Sequence, residues 1–122
     1  MVEMALILVV MVALAVGLVN FALMIKDYTD VSSAAGAGAI YASQGSSYMG
    51  NLSGIQTATI ASNGGSWHCV GTPTVSSSAQ ADAYGQYSVT VTMRCNVASM
   101  IPMVGVPTAF PVSYSAARQV KP

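Results

Sequence analysis

Residues 4–25 read MALILVVMVALAVGLVNFALMI, and Glu3 stands immediately before them. The run contains no Asp, Glu, Lys, Arg or His, and only Gly17 and Asn20 interrupt its apolar character. About 20 apolar residues cross the hydrocarbon core of a bilayer as a helix, so the run is long enough to span one. Leu, Met, Ala and Val dominate it, and the first proline in the chain is Pro73. The sequence therefore predicts one helix over roughly residues 1–44. It is apolar all round as far as Ile25, the signature of a segment surrounded by lipid or protein on every side. A helix of that length reaches about 65 Å at 1.5 Å per residue, about twice the bilayer core. Its second half must then pack on something else.

The next residues say what that is. Lys26, Asp27 and Asp30 mark the expected exit into water. From Tyr28 the pattern turns amphipathic, with Val31, Ala34, Ala35, Gly38 and Tyr41 on one face. Within it, Ala34–Ala39 (AAGAGA) is made only of small residues. Gly36 and Gly38 admit two readings here. They let another backbone approach closely, or they merely loosen the helix at about 1 kcal/mol each relative to Ala. After a turn at Gln44–Ser47, Asn51–Ser62 reads as a short second helix closed by Asn63-Gly64-Gly65. The period then shifts to two. Trp67–Val75 and Tyr84–Cys95 are rich in Thr, Val, Tyr and Trp, and Tyr87–Met93 alternates as a half-buried strand does. Ser76–Ala83 reads as a polar loop between them. Asn96–Pro107 is a connection with Met100, Ile101, Met103 and Val104 outward, and Ala109–Val120 is a third strand. The expected architecture is α+β: a long N-terminal helix whose C-terminal half packs on about three antiparallel strands. Residues 1–25 form an anchor or core helix, and residues 26–122 hold the rest of the helix and a small head.

Composition narrows the function classes. Hydrophobic residues make up 53% of the 122 and charged residues 7%, against about a quarter in soluble globular proteins. Four basic and four acidic residues give zero net charge, with no basic stripe for nucleic acid. The single His68 has no acid near it in sequence, and the many Ser and Thr lack a base, so no catalytic constellation is expected. The same scarcity of ligands argues against a metal or other cofactor: only His68 could join Cys69 and Cys95, short of the usual four for zinc. A Cys69–Cys95 disulfide is the simpler reading, and it implies an oxidising compartment.

A secretory signal peptide is considered and set aside. A basic n-region is missing before the run, the run exceeds a usual h-region, and Ala34–Ala39 lies too far along to be its cleavage site. The expectation is that the segment stays in the mature protein and that a basic leader preceding it has been removed.

Val2-Glu3, the apolar run, Gly17, Asn20-Phe21, the small stretch from Ala34 and then Tyr41-Ala42 resemble the TadE-like pilins and pseudopilins. These form the Tad (tight adherence) branch of the type IV pilus superfamily. The spacing from Glu3 through Gly17 to Phe21 fits that pattern without gaps. Met4 and Val9 depart from it, standing where the family often has Phe and Pro, and Glu3 is third where mature type IV pilins usually carry Glu fifth. The resemblance implies a type IV pilin-like fold and a subunit that polymerises into an extracellular filament on a prokaryotic cell surface, serving adhesion, aggregation or biofilm formation. It implies other copies of the chain as partners. It also implies an inner-membrane stage before assembly, a prepilin peptidase and the pilus assembly machinery. The alternatives are a minor TadE-like pseudopilin that primes a pilus, and a monomeric single-pass membrane protein with a small exported domain.

Within that resemblance Glu3 and Met1 are the expected assembly and registry residues. Leader removal exposes an α-amine at Met1, which can neutralise the Glu3 carboxylate of the same or another copy in a core with little water. An uncompensated buried carboxylate costs several kcal/mol, so such a pair is tolerable in one register only. The plainer reading of Glu3 is a carboxylate at a helix N-terminus, stabilised by about 0.3–1 kcal/mol. Asn20 can bond to a neighbouring helix or to its own backbone four residues back, and Gly17 can serve close packing or local melting. Phe21, Tyr28, Tyr41 and Tyr48 are expected to pack. Asn51-Leu52-Ser53 fits the N-glycosylation sequon, a short match common by chance.

Overall fold

The computed structural model describes residues 1–63, 68–99, 104–105 and 107–121. Helix α1 runs from Val2 to Ala42 without interruption. Two short helices follow, α2 (Ser46–Met49) and α3 (Leu52–Ala61), and then three strands, β1 (Thr74–Ala81), β2 (Tyr87–Ala98) and β3 (Ala109–Gln119). The strands form one sheet in the order β1-β2-β3, antiparallel at both joins. This is the α+β layout that the apolar run and the alternating segments predict.

The second half of α1 is held to the sheet by a stripe of small residues. Val31, Ala34, Ala35, Gly38, Ala39 and Ala42 are buried, at spacings of three and four that place them on one helix face. Opposite them β2 presents Val89, Val91, Met93, Cys95 and Val97, all buried, while Thr90, Thr92, Arg94 and Asn96 turn to the other side. The core has two parts. Val31, Ala34 and Ala35 meet Met93, Cys95, Val97 and Val112. Ala39 and Ala42 meet Ile55, Val89 and Val91 nearer the far end of the helix.

Helix α3 lies against α1 because of two glycines. A Cβ on Gly38 would run into Thr59 Oγ1 and come within 3.1 Å of Val91. A Cβ on Gly54 would strike the Tyr41 ring. Buried Thr59 satisfies its hydroxyl by donating to Ile55 O at 2.7 Å. Of the two readings of the AAGAGA stretch, close approach holds at Gly38, and the neighbour is α3 of the same chain. Gly36 has nothing within 4 Å of the position a Cβ would take.

Three local expectations need correction. The first strand is Thr74–Ala81 and takes in most of the segment expected to be a polar loop. The loop is shorter: Asp82 Oδ1 accepts from the N–H groups of Tyr84 and Gln86, and Gly85 takes φ +77° to close the turn. Once that turn is set, antiparallel pairing carries the serines into strand whatever their weak β-propensity. Ser46–Met49 makes a single helical turn where a plain turn was expected. Asp27 is not at a wet exit but buried at 8% exposure. Of the outward residues expected at 96–107, Val104 is exposed, while Met100, Ile101 and Met103 lie outside the described residues, as do Gly64, Gly65 and Trp67.

Candidate assembly surface

The surface that stands out is the first half of α1. Every large apolar side chain from Met1 to Val12 is at least half exposed, and Leu14, Leu18, Val19, Phe21 and Ile25 are exposed as well. The helix is long and apolar enough to cross a membrane, and its most apolar 18-residue window buries none of its residues within the chain. Soluble single-chain proteins do not carry apolar surface on this scale unless something covers it.

Glu3 lies in the first turn of α1, exposed, with no ion-pair or hydrogen-bond partner among the described residues. Met1 is the N-cap residue and makes no side-chain cap. The structure therefore brings Glu3 to the tip of the stem, where the helix dipole favours a negative charge. Gly17 has nothing within 4 Å of a would-be Cβ. Phe21 is 62% exposed, and Asn20 is half-buried. The local option for Asn20 is not taken: its amide makes no hydrogen bond among the described residues of one copy.

Where the stem meets the head, a groove of about 500 Å³ opens between α1 and the sheet. Asn20, Phe21 and Met24 line one wall, and Val97, Ala98 and Phe110 the other. Asp27 and His68 sit at its inner end. Asp27 Oδ1 is 3.3 Å from His68 Nδ1, while Lys26 and Asp30, one turn apart on the outer face, pair at 2.8 Å. The neighbouring residue holds this corner to the sheet. Cys69 is bonded to Cys95 in a disulfide and bridges to Val97 outside β1, and the Val70 N–H donates to Asn96 O at 2.6 Å. The disulfide thus ties the loop that leads into β1 to β2. Sequence reasoning missed the Asp27–His68 contact because the two residues are 41 apart and neither stands in a recognisable motif.

The remaining singled-out residues have local roles. Tyr28 stacks edge-on against Tyr114 with ring centroids 5.9 Å apart, and Tyr41 does the same with Tyr48 at 5.2 Å. Asn51 is the N-cap of α3; its side chain accepts from the Gly54 N–H at 3.0 Å and from Ser53 Oγ at 2.9 Å. Among the described residues, no three His, Cys, Asp or Glu gather into a metal-sized cluster.

Residues 1–39, the stem and the start of the small-residue stripe, match the family model of TadE-like proteins. Neither a curated protein nor a solved structure matches the chain.

Proposed function

We propose, from the premise that the stem over residues 1–39 is that of a TadE-like protein of the Tad pilus, that this chain is a structural subunit polymerising through that stem into an extracellular filament. The observation that carries the reading is the apolar surface of the first half of α1, whose most apolar 18-residue window buries none of its residues among the described part of the chain. Burying a single Val, Leu, Ile, Phe or Met side chain contributes about 1.5–3 kcal/mol. A stem with more than ten such side chains exposed needs lipid, or other stems, around it at all times. Before assembly the inner membrane covers it. After a prepilin peptidase has removed a leader, the pilus assembly machinery moves it from lipid into a bundle of its own copies. The contact repeats along a screw axis and never closes, which yields a filament.

Glu3 sets the register of that bundle. Facing lipid tails or other stems, its carboxylate demands a cation, and the α-amine at a processed N-terminus supplies one. Gly17 and Asn20, whose backbone gap and side-chain amide meet no partner among the described residues, serve contacts between stems. The head carries the filament's outward chemistry and serves adhesion, aggregation or biofilm formation; the chain is a building block and not an enzyme.

The test is to shear producing cells, pellet the supernatant and look for thin filaments containing the chain. Glu3→Ala and Glu3→Gln are expected to abolish recovery in the sheared pellet while the subunit still accumulates in membranes. Normal filaments from both variants overturn the registry role. Recovery of the unaltered chain only from detergent-solubilised membranes, with no filament, points to the monomeric anchored protein. Incorporation at a few copies per filament assigns a priming subunit.

A further inference from the structure

Among the described residues, the two outer strands each leave one side without a paired strand. Which residues face outward follows from the ladder. The Asp82 N–H donates to Gln86 O, and in an antiparallel pair every second residue from there bonds to the partner strand. Gln80, Ser78, Ser76 and Thr74 therefore bond to β2, and Val75, Ser77, Ala79 and Ala81 turn their N–H and C=O groups outward. On the other side the Val120 N–H donates to Tyr87 O, so the even-numbered residues of β3 bond to β2. Ser113, Ser115, Ala117 and Gln119 then point outward. The two edges offer matching rows of four.

Proteins usually guard such edges with charge, proline, a bulge or a covering segment. Thr74–Ala81 holds no charged residue and no proline. In β3, Pro111 blocks only the beginning of the edge, before the row starts. Among the described residues no backbone hydrogen bond reaches either row.

We propose that the two rows bond to each other between copies: the β1 edge of one head takes the β3 edge of a second copy, in parallel, and the heads join into a continuous sheet. The direction follows from topology. Both edge strands run opposite to β2 and so run the same way. Copies standing side by side with co-directed stems, as anchoring in one membrane requires, meet as β1 against β3. The competing match of β1 with another β1 needs a two-fold axis through the sheet. That axis would reverse α1, which packs along the sheet face, and point the two stems in opposite directions. Side chains also fit. Ser78, Thr90 and Ala117 form one row across the sheet, so small uncharged residues meet at the join. A few parallel-strand bonds are weak alone; co-directed stems raise the effective concentration of one edge at the next. The contact is heterologous, as in a filament, and rests on the filament reading for its alignment.

The experiment uses the full-length chain in two cysteine variants, Ser78→Cys and Ala117→Cys, produced together. A short bismaleimide is applied to intact membranes and to sheared filaments. The co-produced pair is expected to give several-fold more cross-linked dimer than either variant alone. Adding Ala79→Pro or Ala79→Lys to the Ser78→Cys copy should lower that yield several-fold. The first removes one outward N–H without touching the β2 ladder, and the second sets a charge on the edge. An intact Cys69–Cys95 disulfide by mass certifies the fold, and where Ala79→Pro loses it, Ala79→Lys decides. Equal dimer from Ser78→Cys alone would mean two-fold pairing and overturns the proposal, as does a yield unaffected at position 79. Filaments without cross-linking sink the edge pairing and leave the filament reading standing. Cross-linking in membranes without filaments does the reverse.

Discussion

At position 38 a hydrogen is all the space allows. Gly38 and Gly36 look alike in the sequence, two glycines in a run of alanines, yet one faces Thr59 and Val91 and the other faces open space. Gly38→Ala should destabilise the head by about 1–3 kcal/mol, the usual cost of overpacking. Gly36→Ala should stabilise α1 by up to about 1 kcal/mol. Denaturant melts of the two variants in detergent separate these outcomes, and equal effects would mean that α3 does not press on the helix. Asn51→Ala removes the cap of α3 and should cost about 1 kcal/mol in the same melts. A cap residue is readable in sequence once the helix start is placed, and Asn51 was placed at that start. Asp27 was not legible. An acid beside Lys26 reads as a solvated exit, and only the fold shows that one step around the helix turns it inward to His68.

Among the elements, β2 was the easiest to read and β1 the hardest. Val89, Val91 and Met93 alternate with Thr90 and Thr92, because one face of the strand meets α1 and the other does not. In β1 only Val75 packs against the core, and the rest of the strand is small and largely exposed. With little to bury, it has almost no period to display; its strand character comes from the β2 ladder beside it. The loop before β1 depends on the disulfide. Cys69 and Cys95 are 26 residues apart, and closing a loop of that size stabilises a chain by about 3 kcal/mol in the chain-entropy account. Replacing both with Ser should remove about that much from the head and release His68 from Asp27. The first effect is read in a denaturant melt and the second in the chemical shifts of the imidazole.

For the molecule as a whole, stem and head are separable in packing. The buried residues begin at Asp27 and Val31, beyond the last residue of the apolar run. Removal of residues 1–25 should therefore leave a soluble head with its disulfide formed and its melting temperature lowered only slightly, through loss of the Phe21 and Met24 wall of the groove. Aggregation of that fragment, or a collapse of its melting transition, would show that the stem is part of the folding unit. The change of pattern along α1, uniform and then striped, is readable in the sequence because a helix half that packs on a sheet needs one apolar face only. The groove between α1 and the sheet is not, since its lining comes from α1, the loop at His68 and the two strands β2 and β3, far apart in sequence.

The Lys26–Asp30 pair and the Asp27–His68 contact take three of the few charges that the chain carries beyond Glu3 and satisfy them internally. What is left, Asp82, Arg94, Arg118 and Lys121, is too sparse to give the head a field that dissolved ions could screen. Contacts made by this head then rest on dispersion, hydroxyls and backbone amides, and their strength should change little as ionic strength rises.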